Sequence, residues 1–459
     1  MYIMKVDFFG NTSKHNVVTF YFTFFVSHTK IKMLVFKLFI VFSSLFLTTH
    51  LFAQQVELIL KPNIQSIRFH TYGNQQGLPI YQLNSSNQLE LRFDDMDANV
   101  KNYYYTLQLC DYNWDRVNIS PFNYLKGFTQ QRITTYRYSS ISFTQYTHYQ
   151  VVLPEKNMMP ILSGNYLLKV FLDGDTSKLV FTKRLLVADN KALIKAQIVQ
   201  PFASTIFRTH QKLVFTTTLS GINSFSPAQQ VKVVILQNGR WDNAQKDIVP
   251  TFVRGNNLEY NTENSGIFGG GKEWRWLDLR SLRFQSDRID SGTYNKTNTE
   301  LFLKTDIDRS DQRYVYFRDL NGFYNVETFE RINPYWQGDY ATVHFNLAPP
   351  NNQPYTNNDI YLIGQLTNYE LSNKTKMMFN PQKGVYQTSL FLKQGYYSYS
   401  YLTVNKNNSA DKKELEGDYW ETENTYTILI YYKAFADRSD QLLGVTQLSS
   451  RVDRPGISF

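Results

Sequence analysis

From residue 54 onward, apolar positions recur every second residue in short runs, and polar, Gly or Pro clusters separate the runs. Leu89, Leu91 and Phe93 fall on one face of such a run, with Glu90 and Arg92 on the other. That is the period of a half-buried strand. The same reading predicts strands over 66–70, 103–109, 148–153, 164–171 and 179–182, with Asp173-Gly174 as the turn of a hairpin. Farther along, strands are expected over 194–199, 211–219, 231–236, 274–279, 340–347, 385–392, 396–404 and 425–432. Asn238-Gly239 reads as a turn, and 293–299 and 348–358 read as loops. No amphipathic helical period is sustained, so helices should be few and short.

Strands at this spacing imply β-sandwiches. The polar break at 188–191 ends a first domain, 54–188. A second sandwich is expected over 189–335, its end set by a softer change around 329–339. The third, 336–436, reads as an immunoglobulin-like module of early-set type. Its last strand, 425–432, follows an acidic, aromatic turn and would complete a sandwich beginning near 359–364. From 437 the chain becomes charged and mixed, so 437–459 reads as a C-terminal tail. The fold class is therefore all-β: consecutive immunoglobulin-like β-sandwich domains with few short helices.

The first 53 residues change the picture of where the chain works. Lys30, Lys32 and Lys37 precede an apolar run over 38–51, and Ala53 is small enough to precede a signal-peptidase cut. The run is shorter than the ~20 residues of a comfortable membrane span. Residues 1–53 thus read as a signal peptide, and Met33 is itself a sensible start, which would make 1–32 an over-extension. No Cys follows the run, which argues against a lipid anchor. Removing the leader lowers the formal charge from +9 to about +5. That is mild, and no long Lys/Arg block stands out, so nucleic acid is not an expected partner. With Cys110 as the one cysteine, no intramolecular disulfide can form, and packing must hold the fold. The 33 Tyr and 34 Phe supply it, since aromatics suit half-buried pleated surfaces and pair across strands.

Candidate chemistry is thin. Beyond the leader, His70, His148, His210 and His344 are far apart and lack metal-ligand spacing. Cys110 has no local base and reads as a buried structural thiol. Gly266 to Lys272 has the spacing of a phosphate-binding loop, but Glu273 stands where Ser or Thr would hold Mg²⁺, and a strand follows where a helix should. Asp95, Asp97 and Asn99 imitate the start of a calcium loop, yet Val100 replaces its Gly and Thr106 its Glu. The expectation is no catalytic, metal or cofactor site, hence no enzyme.

Several of these runs carry a resemblance. Phe93-Asp94-Asp95, Tyr103-Tyr104-Tyr105-Thr106-Leu107 and Cys110-Asp111-Tyr112-Asn113-Trp114 resemble the first domain of the type IX secretion system plug proteins of the Bacteroidetes. Tyr124-Leu125-Lys126-Gly127, Tyr146-Thr147-His148-Tyr149, Ser163-Gly164-Asn165-Tyr166 and Glu421-Thr422-Glu423-Asn424 extend the resemblance, while Leu109 stands where His is expected before the Cys. The resemblance implies a periplasmic protein at the inner face of the outer membrane. It implies a non-enzymatic partner of the large outer-membrane β-barrel translocon, closing its periplasmic mouth when no substrate is in transit. The third module also resembles glycogen-binding and isoamylase-type early-set domains around Ile363-Gly364-Gln365-Leu366-Thr367-Asn368-Tyr369. That implies an alternative, an envelope glycan-binding protein with Tyr369 and Trp420 as the sugar-stacking residues.

Overall fold

In the computed structural model, residues 56–454 are described apart from Asn223, 296–297, 406–409 and Lys412. The expected signal peptide and alternative start lie outside the described residues. Three hydrophobic cores organise the chain. The first is a sandwich. One sheet holds Ile64–Thr71, Leu89–Asp95, Thr147–Leu153 and Thr135–Tyr138 in antiparallel order. It packs on Tyr103–Cys110, Gly164–Leu172 and Leu179–Ala188 through Leu91, Phe93, Tyr105, Tyr149, Tyr166 and Phe181, all fully buried. The expected alternation is met, with Leu89, Leu91 and Phe93 inside. Asp173 and Gly174 both have positive φ, 57° and 71°, as a type I′ turn requires, and Asp175 N–H donates to Leu172 O; the connection runs on to Lys178 before the second strand starts, so it is longer than the two-residue hairpin expected.

The second core departs from the linear division expected from sequence. Val231–Gln237 pairs with Thr425–Tyr432, which pairs in turn with Gln441–Ser449. These strands close over Ala192–Val199, His210–Leu219 and Asn257–Tyr260 around Leu213, Phe215, Tyr260 and Leu443. Strand Thr425–Tyr432 therefore does not complete a sandwich with 359–364, and residues 441–449 are a strand, not part of a tail. The uninterrupted apolar run has a physical reason. Tyr426, Ile428, Ile430 and Tyr432 face the second core, while Leu429 and Tyr431 face a separate cluster with Cys110, Trp114, Leu186 and Val234. A strand buried on both faces cannot alternate with polar residues.

The third core, from Leu277 to Leu415, lies in the chain between the two halves of the second. Its sheet, eleven-stranded over the described residues, includes Arg275–Asp278, Gly395–Asn405, Asn358–Ile363, Val385–Lys393 and Tyr340–Ala348. Strands Ile289–Tyr294 and Thr299–Leu303 trim the expected 293–299 loop to its middle. The first and second cores share one sheet through Ala188 and Leu442, and Asp189 and Lys191 N–H groups donate to Leu442 and Leu443 carbonyls. The expected polar break is thus a pinned crossing. The described α-helices are short: Pro227–Gln230, Pro334–Gln337 and Lys413–Glu416. None of the described helices is long and apolar enough to cross a membrane.

Candidate partner interface

Asp94 alternates with the residues that fill the first core, so its carboxylate points out of that core, toward the third. There it meets Lys393, the last residue of Val385–Lys393, and both side chains are 1% exposed. Tyr340 OH donates to Asp94 Oδ2 at 2.5 Å, and His148 Nδ1 lies 2.6 Å from Oδ1. Lys393 Nζ also donates to Tyr335 O at 2.5 Å and stands 4.2 Å from the Tyr146 ring centre. Burial alone would raise the Asp94 carboxyl, but the Lys393 ammonium and the His148 contact outweigh it and hold it below its ordinary value. Burial lowers His148. Neutral, it carries its proton on Nδ1, because Arg92 NH1 approaches Nε2 at 3.2 Å and leaves that nitrogen as acceptor.

Neighbouring contacts extend this joint. Arg68, 2% exposed, donates to the Gln365 side chain and to Gln75 O, and lies 4.1 Å over the Tyr324 ring. The Gln75 amide bonds Val326 in both directions, at 2.8 and 3.2 Å. Asp339 accepts from Phe143 and Thr144 N–H at 2.8 and 3.0 Å. Next to these bonds an open groove of about 540 Å³ separates Ile141 and Phe143 from Arg283, Tyr294 and Arg331. A smaller hollow shares Glu330 with it and is lined by Phe284 and Phe329. Ile141, Phe143, Phe284 and Phe329 are 63–83% exposed, an apolar concentration of the kind that marks partner sites.

Comparison with known proteins gives this surface its setting. The sequence model of the type 9 secretion system plug protein 1st domain matches residues 64–189, the span of the first core. Residues 64–189 therefore form a domain of the type 9 secretion system plug protein type. A crystal structure of a hypothetical protein from Parabacteroides merdae is similar over most of the fold. It is 27% identical, with a TM-score of 0.82, covering 86% of this chain and 98% of that one. No curated protein sequence matches.

The plug-family motifs meet where the first core meets the others. Asp94 and His148, from two separate motifs, are hydrogen-bonded in the joint. In the Cys-Asp-Tyr-Asn-Trp motif, Tyr112 OH donates to Asp247 at 3.0 Å and Trp114 packs edge-on to Trp241 at 4.9 Å. Lys393 is the residue that sequence reasoning missed. It lies 299 positions from Asp94, and nothing local distinguishes it from a solvated lysine at the end of a strand.

The glycan candidates are not brought together. Tyr369 is half-buried in a cluster with Trp274 and Ile363. Arg240 lies 5.4 Å from its ring, and its OH donates to Gly322 O at 3.3 Å. Trp420 packs against the second core with Arg454 4.5 Å from its ring. Cys110 is buried, and burial pushes its thiol up to about 11. In the glycine loop, Lys272 Nζ donates to Arg309 O and Gln312 O at 2.8 and 2.6 Å. A Cβ on Gly270 would lie 2.0 Å from Tyr419 O, so glycine serves the close approach of two backbones there. Lys101 Nζ reaches both Asp95, at 2.7 Å, and Asp97, placing an ammonium at the calcium-like turn. Among the described residues no group of three or more His, Cys, Asp or Glu could hold a metal ion.

Proposed function

We propose that this protein is a periplasmic, non-enzymatic plug. On this reading it binds the large outer-membrane β-barrel translocon of type IX secretion and seals its periplasmic opening when no substrate is in transit. The observation that carries the reading is the family match over 64–189. The build of the molecule is compatible with it. A plug must resist deformation, and a buried ion pair and a shared sheet fasten the first core to the other two. It must also present contact area, and exposed aromatic residues flank the first–third joint.

The test is affinity purification of the tagged protein from native envelopes in mild detergent, with partners identified by mass spectrometry. Recovery of a very large outer-membrane β-barrel near equal stoichiometry is expected, together with envelope leakage to bulky solutes on deletion. Recovery of the protein alone, with no leakage on deletion, would sink the plug reading.

A further inference from the structure

The four-stranded sheet of the first core ends on Thr135–Tyr138. This strand pairs with Thr147–Leu153 and with no other strand among the described residues. The Ser139 N–H donates to Tyr146 O at the end of that pairing. Antiparallel alternation then turns the backbone groups of Thr135 and Arg137 inward and those of Tyr136 and Tyr138 out of the sheet. The next outward group, Ser140 N–H, already donates to Trp336 O at 2.8 Å. All four side chains of the strand are exposed.

An open edge of this kind is a template for an extended chain. Natural edges are commonly guarded by Pro or Lys, and this one carries neither. It carries two tyrosines, a residue type in which interface energy concentrates. Three and five residues past the strand, Ile141 and Phe143 enter the groove, so edge and groove form one continuous surface. Its charge is biased. Arg137 lies over the Trp336 ring at 5.8 Å, and Arg283 and Arg331 line the groove. The two carboxylates there are engaged: Asp339 holds the Phe143 and Thr144 N–H groups, and Glu330 accepts from Ser281 Oγ at 2.5 Å and Arg283 N–H at 3.1 Å.

We propose that this edge receives an extended, acidic segment of the translocon, which adds a strand beside Tyr136 and Tyr138 and lays an apolar side chain in the groove. The proposal rests on the plug reading and deepens it by naming the surface and the chemistry it selects. Tyr138→Pro removes an outward N–H, a change edge strands tolerate. Arg283→Glu with Arg331→Glu reverses the groove charge without touching the strand. Both are compared with wild type in the same envelope purification, each first checked for an unchanged thermal transition. Barrel recovery should fall by about tenfold or more in each, the scale of losing one interface hot spot. Should Tyr138→Pro prove unfolded, Tyr138→Ala takes its place beside the charge reversal.

Folded variants that recover the barrel at the wild-type level would overturn the edge assignment and leave the plug reading intact. A wild-type protein that recovers no barrel overturns both. Light scattering on purified protein supplies the remaining outcome. A concentration-dependent dimer abolished by Tyr138→Pro would assign the edge to a second copy of this chain, and so overturn the proposal.

Discussion

The third core is fastened to its two neighbours by chemically different joints. Toward the first core, Asp94 and Lys393 are a dry ion pair with supporting partners: Tyr340 and His148 on the carboxylate, Tyr335 O on the ammonium. Toward the second core, the chain crosses at 270–274 and returns at 416–424, and Glu273 lies between the crossings, 1% exposed. Its Oε1 accepts from Tyr314 OH and from Glu423 N–H at 3.3 Å, while its Oε2 is buried without a hydrogen-bond partner. Among the described residues no cation forms an ion pair with it. Burial, with the Asp319 charge, pushes Glu273 up to about 7, and burial with the Arg309 charge pulls Lys272 down to about 8. Both joints bury charge, but only the first has its opposite charge in place, so they should answer differently to mutation and to pH.

The largest expected effect comes from unpairing the first joint. Lys393→Met leaves Asp94 buried without its cation and should cost about 3–5 kcal/mol. The loss is read as an earlier denaturant transition. Lys393→Met combined with Asp94→Asn should recover part of it, because the stranded charge is gone. A cost near zero for the single variant would mean that the pair is not dry.

The second joint should reveal itself by titration. Glu273 is an acid whose folded-state value, about 7, exceeds its ordinary 4.5. Its contribution is therefore fully present below about 4.5 and is lost as pH rises through about 7, up to about 2–3 kcal/mol. Glu273→Gln should flatten stability across that window and make the protein more stable than wild type at pH 8. The first joint has no such slope. Burial holds His148 below its ordinary 6.5, so its effect appears on the acid side, with stability falling as pH drops below 6.5. Thermal unfolding from pH 4 to 8, on wild type and Glu273→Gln, separates the two.

Much of the fold was legible in sequence because its strands are short, aromatic and bounded by turn residues. The turn at Asp173-Gly174 and the alternation over Leu89–Asp95 needed nothing nonlocal. What sequence hid was the order of assembly. Thr425–Tyr432 pairs with Val231–Gln237, nearly two hundred positions earlier, and no local signal distinguishes that partner from a nearer strand. Its lack of alternation was the clue, since a strand apolar on both faces has neighbours on both sides. The joint was hidden for a related reason. Asp94 and His148 could be singled out as family motif residues, but Lys393 acquires its meaning only in three dimensions. The strand that follows the glycine loop, Arg275–Asp278, was legible in sequence, while the purpose of the loop, the approach of the two crossings, shows only in three dimensions.

That purpose yields a steric test of the second joint that leaves its charges alone. Gly270→Ala drives a methyl against Tyr419 O, a contact backbone cannot easily relieve, and should cost about 1–3 kcal/mol at every pH. It therefore lowers the whole stability curve without changing its shape.

The smallest change sharpens the comparison most. Tyr314→Phe deletes the hydrogen bond to the Glu273 carboxylate, together with a longer, exposed one to Glu421 O at 3.2 Å. In an exposed pair that would be marginal. Here the donor favours the charged form of a carboxylate that has no cation, so its removal should cost about 1 kcal/mol above pH 7 and less below it. The midpoint of the Glu273 titration should move up from about 7. A loss equal at pH 5 and pH 8 would mean that Tyr314 acts through packing, and that the second joint draws no pH sensitivity from this bond.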